Sequence, residues 1–244
     1  GNVSSGGRYV GGLIGDVRDD GTHYVAMSEA HATGNVNTTY ADESGFNNAY
    51  VGGLVGHFEG SEFTDISATG DVTSTTGNEV GGLVGRVAME RNNDIVANAS
   101  ATGNVTTTGQ RVGGLIGYHR TGTILRNVTA TGDVSTDGQR VGGLVGDTDA
   151  SITDASATGE VTTSTTGEYV GGLVGQLQAQ HGDEEVRNVT ASGNVSSGGR
   201  YVGGLIGDVS DDGTHYVAMS EAHATGHVNT TYADESGFNN AYVG

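Results

Sequence analysis

Val112-Gly113-Gly114-Leu115-Ile116-Gly117 is the stretch on which the reading of this chain turns, because it does not occur once. The string Val-Gly-Gly-Leu-(Val/Ile)-Gly also starts at Val10, Val51, Val80, Val141, Val170 and Val202, and a truncated copy begins at Val243. Successive copies are 41, 29, 32, 29, 29, 32 and again 41 residues apart. Between them lies a second element, Ala-(Thr/Ser)-Gly, then Asn, Asp, Glu or His, then a valine: Val36, Val72, Val105, Val134, Val161, Val195 and Val228. Self-similarity at this period is the mark of a solenoid or array, in which no single repeat buries its own apolar face.

The second element alternates. Val134, Gly132, Ala130 and Val128 are two apart, as are Val72, Gly70, Ala68 and Ile66, and Val161, Gly159, Ala157 and Ala155. Period two is the strand signature, with small residues facing a narrow interior. A further apolar residue, Leu125, Phe63 or Ile152, sits three positions earlier. The intervening Thr69, Thr102, Thr131, Thr158 and Ser192 point outward and are expected to stack as a hydroxyl ladder. The first element is another strand, its paired glycines allowing a corner or close packing. The fold class that follows is all-β: a parallel β-solenoid of coils of 29–41 residues.

A larger period encloses the smaller one. Residues 193–244 repeat residues 1–52 with two changes, Arg18 to Ser210 and Asn35 to His227. The chain therefore reads as one continuous solenoid segment of a longer array: residues 1–192 form a full unit of six coils, and 193–244 begin the next. It opens in mid-repeat at Gly1, so the true N-terminus is expected elsewhere. At a strand spacing of about 4.8 Å, six coils advance the rod by about 29 Å. The longest excursions, Asn37 to Tyr50 and Asn229 to Tyr242, are expected to project as loops.

Stacking makes a residue-level expectation. The position before each first-element valine reads Tyr9, Tyr50, Glu79, Arg111, Arg140, Tyr169, Tyr201, Tyr242. In adjacent coils Glu79 pairs with Arg111 and Arg140 lies over Tyr169, followed by a stack of three tyrosines. Arg111 beside Arg140 is the unfavourable step.

Composition agrees with strands and excludes several functions. The 45 glycines oppose helix, each costing about 1 kcal/mol relative to Ala in a helix interior. The net charge is −19, and all ten basic residues are Arg. Such a field repels nucleic acid and anionic lipid. An acidic, Lys-free surface resembles the proteins of extreme halophiles, where dense salt screens self-repulsion. There are no cysteines and hence no disulfides. No apolar run reaches the roughly 20 residues of a bilayer span.

These repeats resemble the GLUG motif of bacterial and archaeal surface proteins, on Gly11-Gly12-Leu13-Ile14-Gly15 and its further copies with the Ala-Thr-Gly-Asn-Val element between. The resemblance covers essentially the whole chain. It implies an extracellular, adhesin-like or stalk-like setting at the cell surface. Some family members adjoin metallopeptidases, but no His-Glu-x-x-His string occurs here.

The remaining marks are local. Asn2, Asn37, Asn98, Asn104, Asn127, Asn188, Asn194 and Asn229 lie in Asn-x-Ser/Thr and are candidate acceptors of N-linked glycans. Asp16, Asp19 and Asp20, repeated as Asp208, Asp211 and Asp212, are weak candidates for Ca²⁺, with neither EF-hand nor calcium-roll spacing. No other cofactor is expected. His181 with Asp183, Glu184 and Glu185 reads as an acidic turn, and His23 and His31 lack zinc spacing. No catalytic residue is assigned, because the carboxylates recur with the array instead of converging in one unusual coil. The expected function is a structural region of an extracellular filament or stalk whose partner is itself. The alternative is an adhesin that contacts a cell surface, a neighbouring filament or glycans through Tyr40, Phe46 and Tyr50.

Overall fold

Every strand of the chain is short, and every pairing is between equivalent residues of neighbouring coils. The computed structural model describes residues 1–20, 25–39, 49–89, 95–120, 123–164, 167–180, 182–231 and the backbone of 242–243. Each coil visits four parallel sheets in turn. The first takes the strand after Ala-Thr-Gly, such as Val134–Thr136, and the second takes the strand that opens the Gly-Gly element, such as Arg140–Gly142. The third follows the glycine corner, as in Val145–Thr148, and the fourth returns along Ser151–Ala157 to the next coil at Val161. The sheets hold seven or eight strands each. The register is invariant: Val80 pairs with Val112, Val112 with Val141 and Val141 with Val170. This is a β-solenoid, as the repeats require.

The corners are bonded as well as the strands. Leu83 N–H donates to Leu115 O at 2.9 Å, Leu115 to Leu144 at 2.9 Å and Leu144 to Leu173 at 2.8 Å. Nearly continuous coil-to-coil hydrogen bonding explains how so glycine-rich a chain keeps its backbone polar groups satisfied. At the turn after the first sheet the next glycine N–H instead meets a buried hydroxyl. Thr107 Oγ1 accepts from Gly109 at 2.9 Å, and Thr136 Oγ1 accepts from Gly138 at 3.0 Å.

The interior is divided in two. Between the third and fourth sheets lies a wide lobe of mixed side chains, including Leu54, Phe58, Phe63, Ile66, Leu115, Leu125 and Ile152. Phe58 and Phe63 stack there with centroids 4.4 Å apart. Between the first and second sheets lies a narrow lobe whose buried apolar members are valines alone, from Val10 and Val36 to Val195 and Val202. A waist separates the two. A Cβ on Gly114 would lie 2.2 Å from Gly143 O and 3.1 Å from the Ala130 Cβ, so the paired glycine and the alanine of Ala-Thr-Gly close the interior between them.

The three-residue step from Leu125 to Val128 has its cause in one residue. Asn127 has φ 52°, and its equivalents Asp65, Asn98, Asp154 and Asn188 have φ between 51° and 55°. This left-handed kink is tolerated best by Gly, Asn and Asp. It rotates the strand so that Leu125 and Val128 both face inward.

Two expectations change. The excursion from Asn37 to Tyr50 is shorter than its sequence suggests, because Asn37 and Thr38 belong to strand Val36–Thr38 and Tyr50 opens strand Tyr50–Gly52. The outward Thr69, Thr102, Thr131, Thr158 and Ser192 are exposed, and their backbone N–H groups, not their hydroxyls, make the ladder. Thr131 N–H, for example, donates to Ala101 O at 3.0 Å.

Candidate functional site: the outer columns of the rod

Each outward position of a coil repeats as a column along the rod, and five of these columns carry the chemistry. The first two flank the glycine corner. Because the chain doubles back there, a residue of the second sheet lies beside the one seven positions later in the third. The second-sheet column Tyr50, Glu79, Arg111, Arg140, Tyr169 therefore runs next to His57, Arg86, Tyr118, Asp147, Gln176.

The expected pairs form. Arg111 Nη1 is 3.3 Å from Glu79 Oε1, and the Arg140 guanidinium lies 5.8 Å from the Tyr169 ring centre. Tyr169 and Tyr201 stack at 5.1 Å. The Arg111–Arg140 step is resolved by a residue that ladder reasoning missed. Asp147 Oδ2 sits 2.9 Å from Arg111 Nε and 3.5 Å from Arg140 Nε, one carboxylate bridging two guanidinium groups. Beyond it, Arg140 Nε donates to Gln176 Oε1 at 2.5 Å, and Gln176 Nε2 donates to Asp208 at 3.0 Å. On the other side Arg86 donates to Tyr50 Oη at 3.0 Å and lies between the Tyr50 and Tyr118 rings. The missed signal was the seven-residue offset across each Gly-Gly corner.

This zipper is half sunk into the wall. Glu79 is 2 % exposed, and burial pushes its carboxyl up to about 7 against the opposing pull of Arg86 and Arg111. Burial likewise raises Asp147, against its hydrogen bond to Arg111. For Arg111, burial is outweighed by the bond to Asp147 and the charge of Glu79, and its pKa rises.

The sequon asparagines divide among three columns. Asn98, Asn127 and Asn188 occupy the left-handed kink, where Asn127 Nδ2 donates to Asn98 Oδ1 at 2.7 Å and Asn98 Nδ2 to Asp65 at 2.9 Å. Asn2, Asn104 and Asn194 precede the first-sheet valine, and there the side chain receives a backbone donor from the next coil. Asp133 N–H donates to Asn104 Oδ1 at 2.9 Å, and His227 N–H to Asn194 Oδ1 at 3.0 Å. Asn37 and Asn229 stand exposed on the first sheet. A glycan on the first two groups would share its amide with a coil-to-coil bond. One on the third would not.

The aspartates proposed for Ca²⁺ do not converge. Asp16 binds His57 and Arg18 at 2.9 and 2.8 Å, and its copy Asp208 binds Gln176, all within the zipper. Asp211 caps Gly213 N–H at 2.8 Å, while Asp212 takes donors from Thr214 and His215, which hold its carboxyl well below the usual range. Asp19 and Asp20 lie in the loop that follows. Among the described residues no group of three or more His, Asp or Glu is arranged to hold a metal. Of the acidic turn, Glu184 is buried, raised to about 7 by desolvation, and takes a hydrogen bond from Ser151 at 2.8 Å. Asp183 accepts from Tyr216 N–H, and Glu185 pairs with Arg187. His31 meets Ser67 at 2.9 Å. His23, His181, Tyr40 and Phe46 lie outside the described residues, whereas Tyr50 is a buried member of the wall.

One polar group enters the wide lobe unannounced. His119 occupies the inward column between Val87 and Thr148 and is 0 % exposed. Its ring nitrogens meet Thr123 Oγ1 at 2.8 Å and Thr148 Oγ1 at 3.3 Å, and burial pushes its pKa down to about 3. It is a neutral, hydrogen-bonded core residue. On the first sheet, Thr73, Thr106, Ser135, Asp137 and Thr162 line a shallow groove of about 520 Å³ whose floor includes Ser74, Thr107 and Thr136.

Residues 47–73, 108–135, 137–162 and 166–196 match the family model of the GLUG motif. The chain is 97% identical over its 244 residues to Halomucin of Haloquadratum walsbyi, a haloarchaeon, and spans 3% of that protein's length. No solved structure matches. Four stretches of the chain thus carry the GLUG motif, and one coil of a parallel β-solenoid is the unit in which the motif folds.

Proposed function

We propose that the chain is a structural segment of an extracellular, cell-surface fibre, whose task is to span distance in concentrated salt. The observation that carries this reading is the passage from one 192-residue unit to the next. Residues 193–231 sit on the preceding coil with the register used inside the unit: Val161 pairs with Val195, Val170 with Val202 and Val189 with Ala222. The passage leaves no break in the sheets, so length grows with the number of units. An exterior with a net charge of −19 keeps such a rod soluble where salt screens its self-repulsion. Electron microscopy and diffraction of an oriented multi-unit array test the reading. Thin rods with a layer line near about 4.8 Å along the axis support it, and compact particles without that spacing sink it.

A second reading, adhesion to a cell surface or glycan, is favoured by the hydroxyl-lined groove on the first sheet. Binding of the rod to a polysaccharide surface that is lost in Thr106→Val and Thr162→Val, with the rod intact, would move the balance toward adhesion.

A further inference from the structure

We infer that the folded rod accepts N-linked glycans at the leading edge of the first sheet, on Asn104 and Asn194 and the equivalent Asn2, and refuses them at the left-handed kink. The inference rests on the extracellular reading and names the face of the rod that carries sugar. The eight sequons are alike as motifs, and only the fold tells them apart.

The leading-edge column runs Asn2, Asn35, Asp71, Asn104, Asp133, Glu160, Asn194, one residue per coil. Along it a side-chain oxygen accepts the backbone N–H of the counterpart in the next coil. Asn35 N–H donates to Asn2 Oδ1 at 3.0 Å, and Asn104 N–H to Asp71 at 2.9 Å. Asp133 N–H donates to Asn104 at 2.9 Å, and Glu160 N–H to Asp133 at 2.8 Å. Asp and Asn perform this task interchangeably, so the fold uses the oxygen and not the amide nitrogen. A sugar on Nδ2 leaves that oxygen in place, and Asn104 and Asn194 are both exposed.

At the kink the nitrogen is the working atom. Asn127 Nδ2 donates to Asn98 at 2.7 Å, Asn98 Nδ2 to Asp65 at 2.9 Å and Asn188 Nδ2 to Asp154 at 2.7 Å. A sugar on that nitrogen intrudes into a ladder whose members follow at the coil spacing of about 4.8 Å. Asn98 and Asn127 lie in adjacent coils, so their sugars would also crowd each other. At the leading edge the sequons are three coils apart, from Asn2 to Asn104 and from Asn104 to Asn194, or about 14 Å of rod. Asn37 and Asn229, exposed on the first sheet, put any sugar of their own on the same face.

The donor is an oligosaccharide activated as a phosphate ester. Asn104 Nδ2 attacks its anomeric carbon, and the C–N bond forms as the C–O bond to phosphate breaks. The electron pair leaves on phosphate, and one amide proton passes to a base of the transferase. The carbonyl oxygen that holds Asp133 N–H takes no part.

The test uses the full chain, secreted by a haloarchaeal host that N-glycosylates its own surface proteins. The chain is cleaved after Arg and mapped by mass spectrometry with fragmentation that localises the sugar. Peptide 92–111 is expected to carry it on Asn104 and not Asn98, and peptide 188–200 on Asn194 and not Asn188. Peptide 127–140, whose single sequon is at Asn127, should be bare. Asp133→Asn keeps the side-chain oxygen and completes a leading-edge sequon with Ser135, so that peptide should gain one glycan. Asp154→Asn completes a kink sequon with Ser156, and peptide 141–187 should stay bare. A bare Asn104, a sugar on wild-type peptide 127–140, equal occupancy of the two columns, or no gain in a secreted Asp133→Asn chain each overturns the inference. If Asp133→Asn is not secreted, the wild-type map decides alone. Failure of the fibre reading is seen elsewhere, as compact particles in micrographs, and does not depend on which asparagines carry sugar.

Discussion

The two lobes of one coil obey different rules although the same backbone encloses both. The wide lobe accepts phenylalanine, leucine, isoleucine, alanine, methionine and even His119 at equivalent depths. The narrow lobe accepts valine as its only apolar residue, closed at the turn by a buried Ser or Thr such as Ser74 or Thr107. The difference is one of space and layers. In the wide lobe two longer strands supply several inward positions per coil, so a large side chain in one coil can be matched by a small one nearby, as Phe63 is by Val96. In the narrow lobe each coil supplies two inward valines from three-residue strands, and the valine of one coil lies directly on the valine of the next. Close-packed interiors feel a single methylene, and here no neighbouring position can yield it.

The waist that makes this difference gives the most damaging substitution. Gly114→Val places a branched side chain where even a Cβ would meet the Gly143 carbonyl at 2.2 Å. We expect a loss of about 5 kcal/mol, read as a collapse of the guanidinium midpoint, since neither lobe can absorb the displacement.

The next effect tests how far the tolerance of the wide lobe extends. His119 is held neutral, so between its ordinary value and about 3 the unfolded chain takes up a proton that the folded chain refuses. Its contribution is whole above about pH 6.5 and is lost as pH falls toward 3, by up to about 4 kcal/mol. Denaturation curves from pH 7 to 3.5 should show this slope in the wild type and a shallower one in His119→Gln.

A single added methyl then compares the lobes directly. Val141→Ile in the narrow lobe should cost about 2 kcal/mol, because overpacking there has no outlet. Val145→Ile, four residues away in the wide lobe and beside Ile116 in register, should cost less than about 1 kcal/mol. Equal midpoints for the two variants would erase the distinction between lobes.

The last effect lies outside both, on the zipper. Glu79 has a folded pKa raised to about 7, so its burial costs stability once pH rises above about 4.5, and the full cost is reached above 7. Glu79→Gln should therefore raise the melting temperature by several degrees at pH 8.5 and leave it unchanged near pH 4.

Much of this was legible in the sequence, and the limits are instructive. Period two and the recurrence of Val-Gly-Gly-Leu were enough for a solenoid, and the column before each valine was enough to foresee the contacts of Arg111 with Glu79 and Arg140 with Tyr169. What could not be read was lateral. Strand periodicity gives the face of a side chain but not which strand lies beside it, so Asp147 was invisible as the bridge between two arginines. The step from Leu125 to Val128 was seen, but its cause was not. The cue was an Asn or Asp at every such position in the middle coils, the residue types that tolerate a left-handed backbone. Tyr50 was grouped with a loop because its neighbours carry turn residues, yet a ring against His57 and Arg86 belongs to the wall.

The coil-to-coil hydrogen bonds have a mechanical consequence. They run along the axis, so a pull on the rod loads them one coil at a time, as a zipper is opened, instead of sharing the force across a sheet. Each coil occupies about 4.8 Å of rod but releases about 29 residues, roughly 100 Å of extended chain. A solenoid of such coils stores some twenty times its resting length, and under tension it lengthens in small steps before its covalent backbone bears the load.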